Sequence, residues 1–193
     1  MSRRRLIIAV FLAVALAASS AWAGTYENTR YWFSFEYPEG YTIESSSDRY
    51  FTVRDKDGHA VLTGDVEDIN LYPRNLYDGY SDPFQKFGTW RALLRCDADG
   101  PDGSAFCPSL NSIEEFKTQN GLRALELMLM HVQETFGEKP TRKESVTGPL
   151  YLVDLTRNKH TVVLMLGTLP YERMNKRQKK LAGSILDTIR FTK

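Results

Sequence analysis

With 193 residues, 25 basic and 24 acidic side chains and a formal net charge of +1, the chain is sized for one compact domain. A domain of that size buries roughly 70% of its unfolded surface and needs no staple to fold. It carries no internal repeat or low-complexity segment, which sets repeat and disordered architectures aside.

In chain order, the first 23 residues bear on the compartment. Arg3, Arg4 and Arg5 form a positive n-region, an uncharged apolar run extends from Leu6 to Ala18, and Ala21-Trp22-Ala23 is a small-x-small cleavage pattern. This predicts a secretory signal peptide cleaved after Ala23, leaving residues 24–193 as one exported domain, periplasmic or secreted. The apolar run is shorter than the ~20 residues a spanning helix needs, so no membrane anchor is expected after cleavage. Ser2-Arg3-Arg4-Arg5-Leu6 brushes against a twin-arginine signal, but the short n-region and very apolar core favour the general export route.

Tyr31, Phe33, Phe35 and Tyr37 alternate with Trp32, Ser34 and Glu36, a period-2 stripe that predicts a strand ended by Pro38. Short strands over 41–44 and 49–54 follow. The turn Asp55-Lys56-Asp57-Gly58 then leads into a hairpin partner over 59–67, which makes the whole an antiparallel meander. Residues 68–81, with Tyr72, Tyr77 and Tyr80 among Asn, Pro and Gly, read as an irregular surface loop. Asp82-Pro83 has the form of an N-cap and a first-turn proline. It predicts a helix to about Cys96 with Phe84, Phe87, Trp90 (or Arg91) and Leu94 on one stripe, weakened by Gly88.

Residues 97–106 make a tight acidic loop between Cys96 and Cys107, the only two cysteines. In an exported chain such a pair predicts a disulfide, contributing roughly 2–3 kcal/mol in the chain-entropy model. Asp97, Asp99 and Asp102 resemble a calcium loop but fail its frame, with Pro101, Asp102 and Pro108 at positions that need other residues. Ile113 to Thr118 is a strand, and Asn120-Gly121 is the strongest hairpin signal in the chain. Residues 122–136 fit a helical stripe and a period-2 strand alike; the Asn-Gly turn favours the strand. Residues 138–149 read as a polar loop. Residues 150–156 and 160–166 form a second hairpin, apolar on both faces and therefore central. An amphipathic helix over about 172–187 ends the chain, with Met174, Gln178, Leu181, Ile185 and Thr188 inward.

The opening Tyr-x-Asn-x-x-x-x-Phe-Ser-Phe-x-Tyr-Pro-x-Gly-Tyr, from Tyr26 to Tyr41, resembles the start of PsbP-like domains, and residues 184–191 resemble their closing helix-to-strand passage. The resemblance implies an α/β/α sandwich with a central antiparallel sheet, an α+β fold, in a family of mostly non-enzymatic accessory or binding proteins. It transfers no catalytic residue, because the matched positions are core aromatics and turns. The cysteine-flanked loop and the tyrosine-rich loop depart from it.

His59, His131 and His160 show no metal-ligand spacing, and no nucleophile elbow, phosphate loop or dinucleotide fingerprint is present. No cofactor, metal or nucleic acid is expected. The candidate partner-binding residues are Tyr72, Tyr77, Tyr80 and Trp90, rings suited to an envelope protein or ligand; the alternative is a loop packing its own rings over the sheet. The expected function is an exported, non-enzymatic accessory or binding protein. Its rival is a small exported enzyme in which residues 68–110 form a lid over a cleft.

Overall fold

Apolar residues on both faces of residues 150–153 and 162–167 set the centre of the molecule. In the computed structural model, which describes residues 22–73, 80–94, 108–135, 141–168 and 172–193, these segments are buried throughout. They belong to β8 (Thr141–Asp154) and β9 (Val162–Gly167). With β3 (Tyr41–Ser47), β4 (Tyr50–Asp55), β5 (Ala60–Asp68), β6 (Ser109–Lys117) and β7 (Arg123–Thr135) they form an antiparallel sheet of order β3-β4-β5-β9-β8-β7-β6.

One face of this sheet is covered by α1 (Pro83–Leu93). Asp82 caps it by accepting from the Gln85 N–H at 3.1 Å, with Pro83 in its first turn, as the sequence predicts. Phe84, Phe87 and Ala92 pack on Leu125, Leu127, Leu150, Leu152, Val163 and Met165. Gly88 is there for close approach: an added Cβ would lie 2.9 Å from Leu152. The Arg123 guanidinium grips Asp82 at 2.7 and 2.9 Å and Glu115 at 2.8 and 2.9 Å, tying the helix start to β6 and β7. These bonds hold the Asp82 carboxyl below its usual range.

The other face carries a second sheet of order β1-β2-β10, from β1 (Trp22–Asn28), β2 (Phe33–Pro38) and β10 (Arg190–Phe191), together with α2 (Lys176–Thr188). Asn175 and Gln178 close a reciprocal capping box on α2. Leu181, Ala182, Ile185 and Leu186 then face Phe33, Phe35, Phe51, Val53, Leu164 and Leu166. The Thr188 hydroxyl accepts from the Glu36 N–H at 3.0 Å and donates to its carbonyl, stitching α2 onto β2. The architecture is α+β: a central antiparallel sheet between one helix and a helix-plus-sheet layer. Among the described residues, no helix is long and apolar enough to cross a membrane.

Three sequence expectations are corrected. The 33–38 strand is not the first arm of the central meander; β2 pairs with β1 and β10, and the central sheet begins only at Tyr41. An alternating stripe specifies a half-buried strand but not which sheet it joins. Second, residues 141–149 are not a loop. They pair with β7 from Thr135↔Thr141 to Leu129↔Thr147, and residues 142–146 are exposed. A ribbon covered on neither face carries no burial period, so its polar sequence reads as coil while ladder hydrogen bonds hold it extended. Residues 123–135 are a strand, as the Asn-Gly turn favours. The closing helix starts at Lys176, four residues later than its periodicity suggests.

Candidate binding site

The end of β5 organises the chemistry of the molecule, because successive residues there point to opposite faces of the sheet. Glu67 turns toward α1 and is fully buried. One carboxylate oxygen accepts from Arg91 at 2.5 Å; the other accepts from the Tyr72 hydroxyl at 2.5 Å and from Arg49 at 2.9 Å. Burial pushes this carboxyl up, yet the hydrogen bonds from Arg91 and Tyr72 and the two guanidinium charges prevail, and it titrates below the ordinary glutamate range. The Tyr72 ring lies edge-on to Phe87 (5.4 Å between centroids) and Trp90 (5.6 Å), with the Arg91 guanidinium 5.0 Å from its centre. This cluster anchors the chain leaving β5 to α1.

Asp68 turns to the opposite face and helps line a pocket of about 310 Å³. Its carboxylate accepts from the Asn70 N–H at 2.9 Å, capping the short 3-10 turn Ile69–Leu71, and lies 2.6 Å from His160 Nε2. His160 and Arg157 face each other across a two-residue turn in which Asn158 (φ 52°) and Lys159 (φ 64°) both adopt left-handed backbone, the pattern of a type I′ hairpin. Leu155 and Val162 supply the apolar wall. The opposite wall comes from the β1–β2 turn, where Asn28 accepts from the Tyr31 N–H at 2.9 Å and donates to the Asp48 carbonyl at 2.6 Å.

That turn presents Arg30, Tyr31 and Trp32. Trp32 sits at φ 52°, a conformation bulky residues rarely adopt, and is 51% exposed. Its carbonyl accepts from the Thr192 N–H at 2.9 Å, so the chain end fixes its position. Tyr31 is 6% exposed, and its buried hydroxyl, near the Arg30 side chain, makes no well-formed hydrogen bond among the described residues. Burial pushes this phenol above its usual range, against the pull of the Arg30 charge. Arg30 meets Asp48 at 3.5 Å on the surface. The Arg157 guanidinium lies 5.8 Å from the centre of the Phe191 ring and makes no ion pair among the described residues.

Of the candidate partner-binding residues, the structure brings Tyr72 and Trp90 together in the Glu67 cluster; Tyr80 is 36% exposed just before α1. Tyr77 lies outside the described residues, as do Cys96, Cys107, Asp97, Asp99 and Asp102. The histidines are dispersed. His131 Nε2 lies 2.9 Å from Thr147 Oγ1, and burial pushes its imidazole down. His59 is exposed near Asp55 and Asp57, with ligand atoms within 4.8 Å of one another. Asp55 there accepts from the Asp57 and His59 N–H groups at 3.1 and 3.0 Å, which is the geometry of a capped turn.

Sequence reasoning missed Asp68, Arg157 and His160 as a group with residues 30–32, because three segments far apart in the chain assemble them, and it missed the Glu67 cluster on the opposite face for the same reason. A weak signal existed at Trp32, a large aromatic on the outward phase of an otherwise inward-facing stripe.

No protein-family profile matches the sequence, and no curated protein does. Among solved structures, the solution structure of cyanobacterial PsbP from Synechocystis sp. PCC 6803 is similar at 16% identity and TM-score 0.49, over 90% of this chain and 95% of that one. The crystal structure of the Saccharomyces cerevisiae Ran-binding protein Mog1p is similar at 13% identity and TM-score 0.47, over 87% and 94%. At these identities the likeness concerns chain path and transfers no residue role.

Proposed function

We propose that this chain is an exported, non-catalytic binding protein of the cell envelope that recognises its partner through the pocket between Trp32 and Arg157. The carrying observation is Trp32: a tryptophan held in a sparsely populated backbone conformation, half exposed, beside two arginines and a buried tyrosine. Tryptophan, tyrosine and arginine are the residues that dominate binding energy at interfaces, and backbone strain concentrates where function requires a fixed geometry. The n-region, apolar run and small-x-small pattern of residues 3–23 support export. Cleavage after Ala23 would remove two residues of β1 and leave residues 24–28 paired with β2.

The test places a photo-crosslinking benzoylphenylalanine at position 32 and, as control, at the exposed turn residue Lys56. A discrete adduct is expected from position 32 alone, and Arg157→Ala should abolish it. Equal labelling from both positions, or none from position 32, defeats the reading. Export also supports a Cys96–Cys107 bridge. Thiol titration of denatured, unreduced protein from the exported fraction should then find no free thiol, and two would reject it.

One observation favours the rival enzyme reading: the His160–Asp68 contact is half of a general-base arrangement. The described pocket lining adds two arginines and a tryptophan to that pair, with no Ser, Thr or Cys as a nucleophile. The pair therefore suits ligand orientation better than covalent catalysis.

A further inference from the structure

We infer that this pocket takes a carboxylate carried on an apolar body, an inference that rests on the pocket being the recognition site. Two features select that chemistry. Arg157 offers a planar guanidinium, set by its turn and backed by Phe191, with no carboxylate partner among the described residues. Such a fork suits bidentate capture of a carboxylate. Leu155 and Val162 line the pocket with Arg157 and call for an apolar body.

Charge and size narrow the class. Arg30 already meets Asp48, and Asp68 adds a buried negative charge to the wall, so Arg157 is the lining cation left to a ligand. A single negative charge matches it, whereas a phosphate dianion would bring a second one beside Asp68. A volume of about 310 Å³ stands at the small end of ligand sites and suits a body the size of one aromatic side chain.

A free organic acid and the C-terminus of a peptide share this chemistry. Calorimetry on the purified protein would compare 3-phenylpropionate with its amide, and an acetylated Gly-Gly-Phe acid with its amide. Each acid that binds should do so at least tenfold more tightly than its amide. Arg157→Gln should erase that preference. Binding of the small acid alone identifies a free metabolite, of the peptide acid alone a partner's chain end, and of both the shared group; each supports the inference. If neither acid outbinds its amide, the inference is overturned. A surviving Arg157-dependent crosslink from position 32 would then keep the recognition site and discard only the ligand class, whereas loss of both would discard the two together.

Discussion

Glu67→Ala should lower the stability of this protein by about 3–5 kcal/mol, measured by urea denaturation at neutral pH. The Glu67 side chain is 1% exposed and neutralises Arg91 and Arg49, whose side chains are 21% and 39% exposed. Removing it strands Arg91 in a half-apolar setting and takes the acceptor from the Tyr72 hydroxyl. A whole domain has only ~5–15 kcal/mol of stability, so a loss of this size is severe. The same carboxyl sets an acid limit. Its pKa is lower folded than unfolded, so its contribution is complete above the unfolded value of about 4.3 and is lost as pH falls through the folded one. Glu67→Gln should therefore be less stable than wild type at pH 7, and the gap should narrow as the solution is acidified below pH 4. A gap that is constant with pH would mean that the carboxylate charge contributes nothing.

The second large effect lies on the opposite face of the sheet. Phe51 is fully buried, 4.8 Å from the Tyr26 ring and 5.3 Å from the Phe35 ring, and lies over Gly64, its cross-strand partner. A Cβ built on Gly64 would fall 2.0 Å from the Phe51 ring. Phe51→Ala should cost ~3–5 kcal/mol by opening a cavity. Gly64→Ala should cost ~1–3 kcal/mol by overpacking the same spot. The two should not add: with the ring gone, the new methyl group enters vacant space, so Gly64→Ala should be nearly neutral in the Phe51→Ala background. A double-mutant cycle with additive energies would show that the ring and the glycine do not share that space.

How far the sequence spoke for the structure depended on whether a residue's role was local. Asp82-Pro83 marks the start of α1 because a cap and a first-turn proline act within four residues. Asn120-Gly121 decided the strand over 123–135 because turn geometry is equally local. The two-sided apolar runs at 150–153 and 162–166 reported their central place directly, since burial on both faces leaves no polar phase. What was silent was long-range. Phe33 and Phe35 alternate in the same way whichever sheet they join, so their assignment to the three-stranded layer was invisible. Glu67 looked like one more polar residue at a strand end, and only folding brings Arg49, Arg91 and Tyr72 onto it. The pocket likewise needs the turn at 28–32, the end of β5 and the turn at 157–160 to converge. The tyrosine-rich loop was legible as a cluster, but not that the Tyr72 hydroxyl turns inward to Glu67.

The two outer strands of the central sheet have a consequence for how this chain behaves among its own copies. Among the described residues, β3 and β6 each leave one row of backbone donors and acceptors without a neighbouring strand, an invitation to add strands from another molecule. Both rows are interrupted. β3 slips register between Ser45 and Ser47 and ends in three exposed serines, and β6 slips between Leu110 and Ser112 and carries Glu114, Glu115 and Lys117 outward. An incoming strand would meet a kinked ladder at each margin, and at β6 a row of charges as well. Among the described residues the sheet thus ends at seven strands, with margins shaped against the edge-to-edge addition of further copies.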